Sequence, residues 1–172
     1  DAIKDGKHPY HIFAFSSIRD NKWPDSRSVV LRGFSLSPNF IYFNTDSRSP
    51  KITQMKNNNN CSALFYDASE KVQIRFHAKA IIHNQDPTSR KMWKKTALQS
   101  KKCYMGKMSP GTKIQEWHPN FPSAYLKKDP ELNHSEQGFL NFTCIKLDVI
   151  ETEILKLYHD GHVRFKIKNE IL

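Results

Sequence analysis

The sequence predicts a mainly β chain, a β-barrel with a few helices, and three observations point there. Short segments rich in branched and aromatic residues recur with tight turns between them, at 12–18, 28–34, 39–45, 61–67 and 71–83. The longest alternates Val72, Ile74, Phe76 and Ala78 with Gln73, Arg75, His77 and Lys79, the period-2 pattern of a strand with one apolar face. Near the end, Asp160-Gly161 lies between two further alternating segments, 149–158 and 162–168, a strong hairpin signal.

The elements follow in order. Residues 12–18 (I-F-A-F-S-S-I) open as a strand, and the polar stretch 19–25 reads as a hairpin turn. Strands at 28–34 and 39–45 face each other across Ser37-Pro38-Asn39. Ser49-Pro50 supplies an N-cap and a proline at the first helical position, so a short helix spans 50–56 and ends in the asparagine run 57–60. Two more strands follow, at 61–67 and 71–83. Asp86-Pro87-Thr88-Ser89 then opens a helix through 90–98, with Met92, Trp93 and Thr96 at helical spacing. Residues 106–122 hold three prolines and Trp117, an irregular loop long enough to serve a site or an interface. The stretch 127–138 is polar and reads as flexible. Strands at 139–146, 149–158 and 162–168 complete a single domain over 1–172, with no internal repeat.

At 172 residues and 38% hydrophobic content, the chain can bury a core and is not a disordered one. It has no apolar run of the ~20 residues that a membrane helix needs, and no secretory leader is expected. Three cysteines, Cys61, Cys103 and Cys144, stand about forty residues apart without a C-x-x-C pair. That set fits neither a disulfide framework nor a zinc site, and it suggests a reducing, cytoplasmic setting. The formal charge of +10 comes from dispersed pairs such as Lys94-Lys95, Lys101-Lys102 and Lys127-Lys128, which read as a solvated lysine surface without specificity for nucleic acid. His8/His11 and His159/His162 are spaced i,i+3, but no carboxylate or cysteine completes a ligand set, so no metal is expected.

Chemistry concentrates between Ser26 and Gln54. Four cations (Arg27, Arg32, Arg48, Lys51) and a run of hydroxyls surround one strand pair and one helix start. A helix N-terminus has unpaired N–H groups and the positive end of a dipole, so it favours an anion. With Thr45, Ser49, Lys51 and Arg27 gathered around it, the expected anion is a phosphate.

These residues also resemble a family. R-S-V-V-L-R-G-F followed by F-N-T-D-S-R-S-P-K is similar to the FMN-binding signature of the pyridoxamine 5'-phosphate oxidase-like flavoproteins, an Arg-x-Val-x-Leu-Lys/Arg strand and a Thr-x-x-x-Ser-x-Lys turn. Val72-Gln73-Ile74-Arg75-Phe76-His77-Ala78-Lys79-Ala80 resembles the family's Gln-Val-Arg-Val-x-Gly-x-Ala strand, with Ala78 in place of the glycine. The resemblance implies an FMN-binding split β-barrel, a homodimer with flavin in a cleft between subunits, and oxidoreductase activity on a small-molecule substrate. Its implied cofactor set is Arg27, Ser28, Val29, Val30, Leu31 and Arg32 on one strand, Asn44, Thr45, Ser49, Pro50 and Lys51 at the turn, and Gln73 beyond. Gln99-Ser100 resembles a downstream Gln-Ser pair, and Arg164 corresponds to a late flavin-contacting arginine.

The C-terminal pattern departs from the oxidase proper. The family's tryptophan and Arg-Leu-His substrate clamp are missing, and His162-Val163-Arg164-Phe165 stands there instead. The chain thus looks closer to the family's shorter branch of FMN-binding proteins. Its catalytic residues are not legible. The alternatives are a flavin- or haem-binding module without turnover and, on charge alone, a basic nucleic-acid-binding barrel.

Overall fold

The computed structural model describes residues 1–168. Seven strands form, β1 (Ile12–Arg19), β2 (Trp23–Leu36), β3 (Asn39–Asp46), β4 (Asn60–Asp67), β5 (Val72–Asn84), β6 (Phe142–Lys156) and β7 (Val163–Lys168). They lie in the order β3-β2-β1-β4-β5-β6-β7, and a further β3–β6 pairing closes the first six into an antiparallel barrel. Strand β7 stays outside and, among the described residues, is hydrogen-bonded to β6 alone. The helices are α1 (Pro50–Asn57), α2 (Pro87–Lys95), α3 (Leu98–Lys101) and α4 (Leu132–Ser135).

Local chemistry explains most boundaries. Asp20 and Asn21 adopt positive φ (54° and 51°), which tightens the β1–β2 hairpin so that Arg19 already pairs with Trp23. The expected turn over 19–25 is therefore shorter, and residues 23–25 belong to β2. In α2, Asp86 accepts from the Ser89 N–H at 2.7 Å while the Ser89 hydroxyl receives the Asp86 N–H at 2.9 Å, a reciprocal cap. The helix ends at Lys95 rather than near 98: Thr96 is extended, and its hydroxyl bonds back to the Met92 carbonyl at 2.9 Å. The two strands expected at 139–146 and 149–158 are one strand, β6. The Lys146–Asp148 ion pair at 2.6 Å puts both charges on one face of β6, so the polar interruption does not end it.

Two compact units emerge. One comprises Asp1–Asn44, Thr53–Ile81 and the chain from Ile145 on; the other comprises Thr45–Ile52 and Ile82–Cys144. In the first, inward residues of alternating strands supply the core. Phe13 stacks on Phe65 at 4.7 Å and meets Phe43 edge-on at 6.0 Å, while Phe15 lies 4.8 Å from Phe43. In the second, Trp93 is fully buried among Tyr104, Phe139 and Phe142, and its indole N–H donates to Glu136 at 2.8 Å. Arg90 also pairs with Glu136. The polar stretch 127–138 is thus not a loose connection: Pro130, Ser135 and Gly138 are buried, α4 forms, and Glu136 caps the tryptophan.

Candidate functional site

In the first unit, Arg27 projects from β2 opposite Phe15 of β1. Its guanidinium donates to the Ser17 hydroxyl at 2.6 Å, to Gln54 Oε1 at 3.1 Å and to Asp25 Oδ2 at 2.6 Å. Gln54 in turn donates to Asp25 at 2.7 Å and receives the Ser17 O–H at 2.6 Å. The Gln54 amide, and then the Arg27 charge, hold the Asp25 carboxyl below the usual aspartate range. Burial lowers the Arg27 pKa, although Asp25 opposes it. Three of the guanidinium's five N–H groups are engaged inside this network. Asp25 is legible as the i−2 neighbour of Arg27 on one strand face. Ser17 is brought there by the β1–β2 hairpin, where it pairs with Asp25, and Gln54 comes from α1, so neither carries a motif signal.

The second unit holds the turn between β3 and α1. Lys51 Nζ donates to the Ser49 hydroxyl at 2.6 Å and to the Thr45 hydroxyl at 3.1 Å. The fold therefore gathers three of the expected residues at one helix start, with Ser49 and Thr45 buried. The Ser49 carbonyl accepts from the Ile52 N–H at 2.9 Å and starts α1 at Pro50. Asp46, also buried, accepts from the Arg48 backbone N–H at 2.8 Å and grips its guanidinium at 2.9 and 2.7 Å. Those bonds hold the Arg48 pKa above its ordinary value despite burial.

The remaining candidates are placed as follows. Ser28 is exposed and Val29, Val30 and Arg32 are half-buried along β2, while Leu31 is buried in the core. Leu31 pairs with Phe43 and Gly33 with Tyr42, so Arg32 is the extra residue of a β-bulge, a feature that re-aims a side chain. The Asn44 Oδ1 atom is buried with no hydrogen-bond partner among the described residues. Gln73 is half-buried on β5 opposite Tyr66. Gln99 and Ser100 lie in α3, Gln99 exposed, and Arg164 is exposed on β7. Arg27, Ser28, Val29, Val30, Leu31, Arg32, Asn44, Gln73 and Arg164 belong to the first unit, and Thr45, Ser49, Pro50, Lys51, Gln99 and Ser100 to the second. Burial pushes the Cys61 and Cys144 thiols up to about 12, which makes both inert as nucleophiles near neutral pH.

The family model of the pyridoxamine 5'-phosphate oxidase FMN-binding domain matches residues 1–84. Among curated proteins none matches the sequence. A pyridoxamine 5'-phosphate oxidase-related, FMN-binding protein from Nostoc punctiforme superposes with a TM-score of 0.77 at 20% identity, over 94% of this chain and 82% of that one. PhzG from Burkholderia lata, solved with tetrahydrophenazine-1-carboxylic acid, gives 0.65 at 16% identity over 94% and 77%. A general stress protein 26-related protein of the pyridoxinephosphate oxidase family from Clostridium acetobutylicum gives 0.59 at 11% over 91% and 86%. At such identities these structures speak for the fold, and the family model speaks for the cofactor. Residues 1–84 match the family's FMN-binding domain, and the chain has the fold of the pyridoxamine 5'-phosphate oxidase-like split barrels.

Proposed function

We propose that this protein is an FMN-dependent oxidoreductase acting on a small-molecule substrate, working as a homodimer in the cytoplasm with the flavin in a cleft between subunits. The observation that carries the reading is the convergence of Lys51, Ser49 and Thr45 at the start of α1. A hydroxyl that accepts from an ammonium keeps its own O–H to donate, so the cluster can offer an anion one charge and two hydroxyl donors. The chemistry of this set fits a flavin phosphate. The orphaned Asn44 Oδ1 fits a ring donor, since a buried acceptor without a partner is costly.

When bound, the flavin supplies two-electron chemistry. The protein's part is to bind and orient it. Thr45, Ser49 and Lys51 take the phosphate, with Pro50 opening the helix behind them; Arg27 contributes to cofactor binding through the N–H groups left over from its own network. Backbone groups of Ser28 to Leu31 line the ring, Arg32 brings a positive charge to it from the bulge, and Gln73 offers both a donor and an acceptor. Gln99, Ser100 and Arg164 complete the set. Dimerisation is supported by β7, an edge strand exposed along its whole length that presents Val163, Phe165 and Ile167 in alternation. The reducing setting is supported by three free cysteines.

A second reading, a flavin- or haem-binding module without turnover, is favoured by the C-terminal hairpin, where His162-Val163-Arg164 replaces the clamp. Purified protein decides between cofactors. A flavin band near about 450 nm and FMN as the released species are expected, whereas a haem band near about 400 nm or FAD alone would overturn the reading. Turnover is read separately, by anaerobic bleaching of the flavin. Pyridoxamine 5'-phosphate should bleach it slowly or not at all, because misplacement by about 1 Å can cost on the order of a hundredfold in rate. Rapid, saturable bleaching followed by reoxidation in air would show a clamp built from other residues.

A further inference from the structure

Arg48 lies inside the cofactor turn, between Asp46 and Ser49, yet its side chain leaves the turn. With Asp46 fixing one edge, its Nη1 donates to the Gly106 carbonyl at 3.0 Å and to the Lys107 carbonyl at 3.1 Å. Those two carbonyls form the neck of a long loop. Two residues on, Met108 exchanges hydrogen bonds with the Asn120 side chain, the Asn120 amide donating to the Met108 carbonyl at 2.8 Å and the Met108 N–H donating to Asn120 Oδ1 at 3.1 Å. Gly106 is required at the neck, since a Cβ there would run into the Asn120 backbone carbonyl. The loop closes on itself as an Ω-loop, and residues 110–118 between the two anchor points are exposed. At its tip it carries Ile114 (42% exposed) and Trp117 (83% exposed).

We propose that Arg48 is a positioning residue that couples the cofactor turn to the 106–120 loop, so that anion occupancy at Thr45, Ser49 and Lys51 tightens the loop's neck. The inference rests on the FMN reading above. Backbone carbonyls are the only partners of Arg48 outside the turn among the described residues. The bidentate Asp46 contact makes the guanidinium move with the turn as one piece. Anything that orders residues 45–51 therefore orders the donors to Gly106 and Lys107, and linkage makes the effect reciprocal. The residue thus settles how firmly the loop bearing Trp117 is held while flavin is present. Arg48 does not itself hold the phosphate, because its fork is committed to Asp46 and the two carbonyls.

Hydrogen exchange at the loop amides tests the coupling, read with and without FMN in the wild-type chain, Arg48→Ala and Arg48→Lys, alongside flavin titration of each. In the wild type, FMN should slow exchange at the neck, 106–109 and 120, by about threefold or more. In Arg48→Ala the neck should exchange roughly tenfold faster than in the wild type, as expected for losing charge-assisted bonds, and FMN should leave that rate unchanged. FMN affinity should fall by less than about threefold, well short of a lost charged phosphate contact. Arg48→Lys keeps the charge but not the fork and should recover part of the protection. Loss of FMN affinity in Arg48→Ala as large as in Lys51→Ala would put the guanidinium on the phosphate and overturn the proposal. Normal flavin uptake with wild-type neck exchange indifferent to FMN would overturn the coupling alone. Failure of the wild type to take up flavin would remove the cofactor reading and the coupling with it.

Discussion

Two clusters in this protein hold a cation at the start of its cofactor signature, and they are built on opposite principles. Around Arg27, carboxylate, amide and hydroxyl saturate one another: Asp25 neutralises the charge, and Gln54 accepts twice and donates once. Around Lys51, the ammonium donates to two hydroxyls, each able to donate onward. The first arrangement suits a strut, because every group removed leaves a partner unsatisfied. The second suits a receptor, because each hydroxyl that accepts from the ammonium keeps an O–H to donate to an anion. A basic residue in a family motif can thus serve the fold, the ligand or both, and its partners tell which.

The largest expected effect separates the two. Lys51→Ala should weaken FMN binding about 10- to 150-fold, the value of one charge-assisted contact of about 1.5–3 kcal/mol, with a smaller loss of apo Tm than Arg27→Ala. Arg27→Ala should lose affinity and also lower the apo Tm by several degrees, since Asp25 and Gln54 lose their shared donor; a kcal/mol moves Tm by about 2–4 °C at this size. Flavin titration and thermal unfolding of both variants check this. Equal Tm losses would make the turn a strut as well. Lys127→Ala, on the exposed polar segment, is the control and should change neither.

Next in size is Gln54, which no motif marks. Gln54→Leu keeps the volume but strands Ser17, Arg27 and Asp25, at a cost of about 1–3 kcal/mol to apo stability. Urea unfolding measures it, and a neutral result would show that the network rearranges freely.

The fold was legible wherever strands alternate, as in β5, and at the Asp160-Gly161 hairpin between β6 and β7. It was not legible where polar residues are consumed internally. Lys146 and Asp148 looked like a strand break and are an ion pair within β6. Residues 127–138 looked solvated, but Glu136 is tied to Trp93 and Arg90 across more than forty positions. The same holds at the site. Thr45, Ser49 and Lys51 lie within one turn, so the sequence shows their association. Ser17 reaches Arg27 across the β1–β2 hairpin, Gln54 reaches it from α1, 27 positions on, and Arg48 reaches Gly106 across 58 positions. Local spacing exposes local clusters, and pairing across the fold hides the rest.

Acid pH sharpens the contrast further. The Asp25 carboxyl is held below its ordinary range by the Gln54 amide and then by Arg27, so the folded chain binds that proton less tightly than the unfolded one. Its contribution is therefore present above the usual aspartate pKa of about 3.9 and is lost as pH falls through the lowered folded value. Unfolding curves from pH 6 down to pH 2.5 should show Asp25→Asn with a shallower acid loss than the wild type. An unchanged slope would mean that other carboxylates, such as Glu136, dominate acid unfolding.

The smallest effect tests the receptor half of the comparison at a single oxygen. Ser49→Ala removes a hydroxyl that accepts from Lys51 at 2.6 Å but no charge. A neutral hydrogen bond is worth about 0.5–1.5 kcal/mol, so FMN should bind about 2- to 13-fold more weakly, less than for Lys51→Ala. Thr45→Ser keeps the second hydroxyl and loses only a methyl group, so its affinity should stay within about twofold. If both hydroxyls serve only to place the ammonium, Ser49→Ala should lower affinity without altering its salt dependence, because the charge count at the phosphate is unchanged. Lys51→Ala should flatten that dependence. Titrations at low and high salt distinguish the two residues, and identical salt slopes for both variants would show that Lys51 acts through its hydroxyl partners rather than on the phosphate.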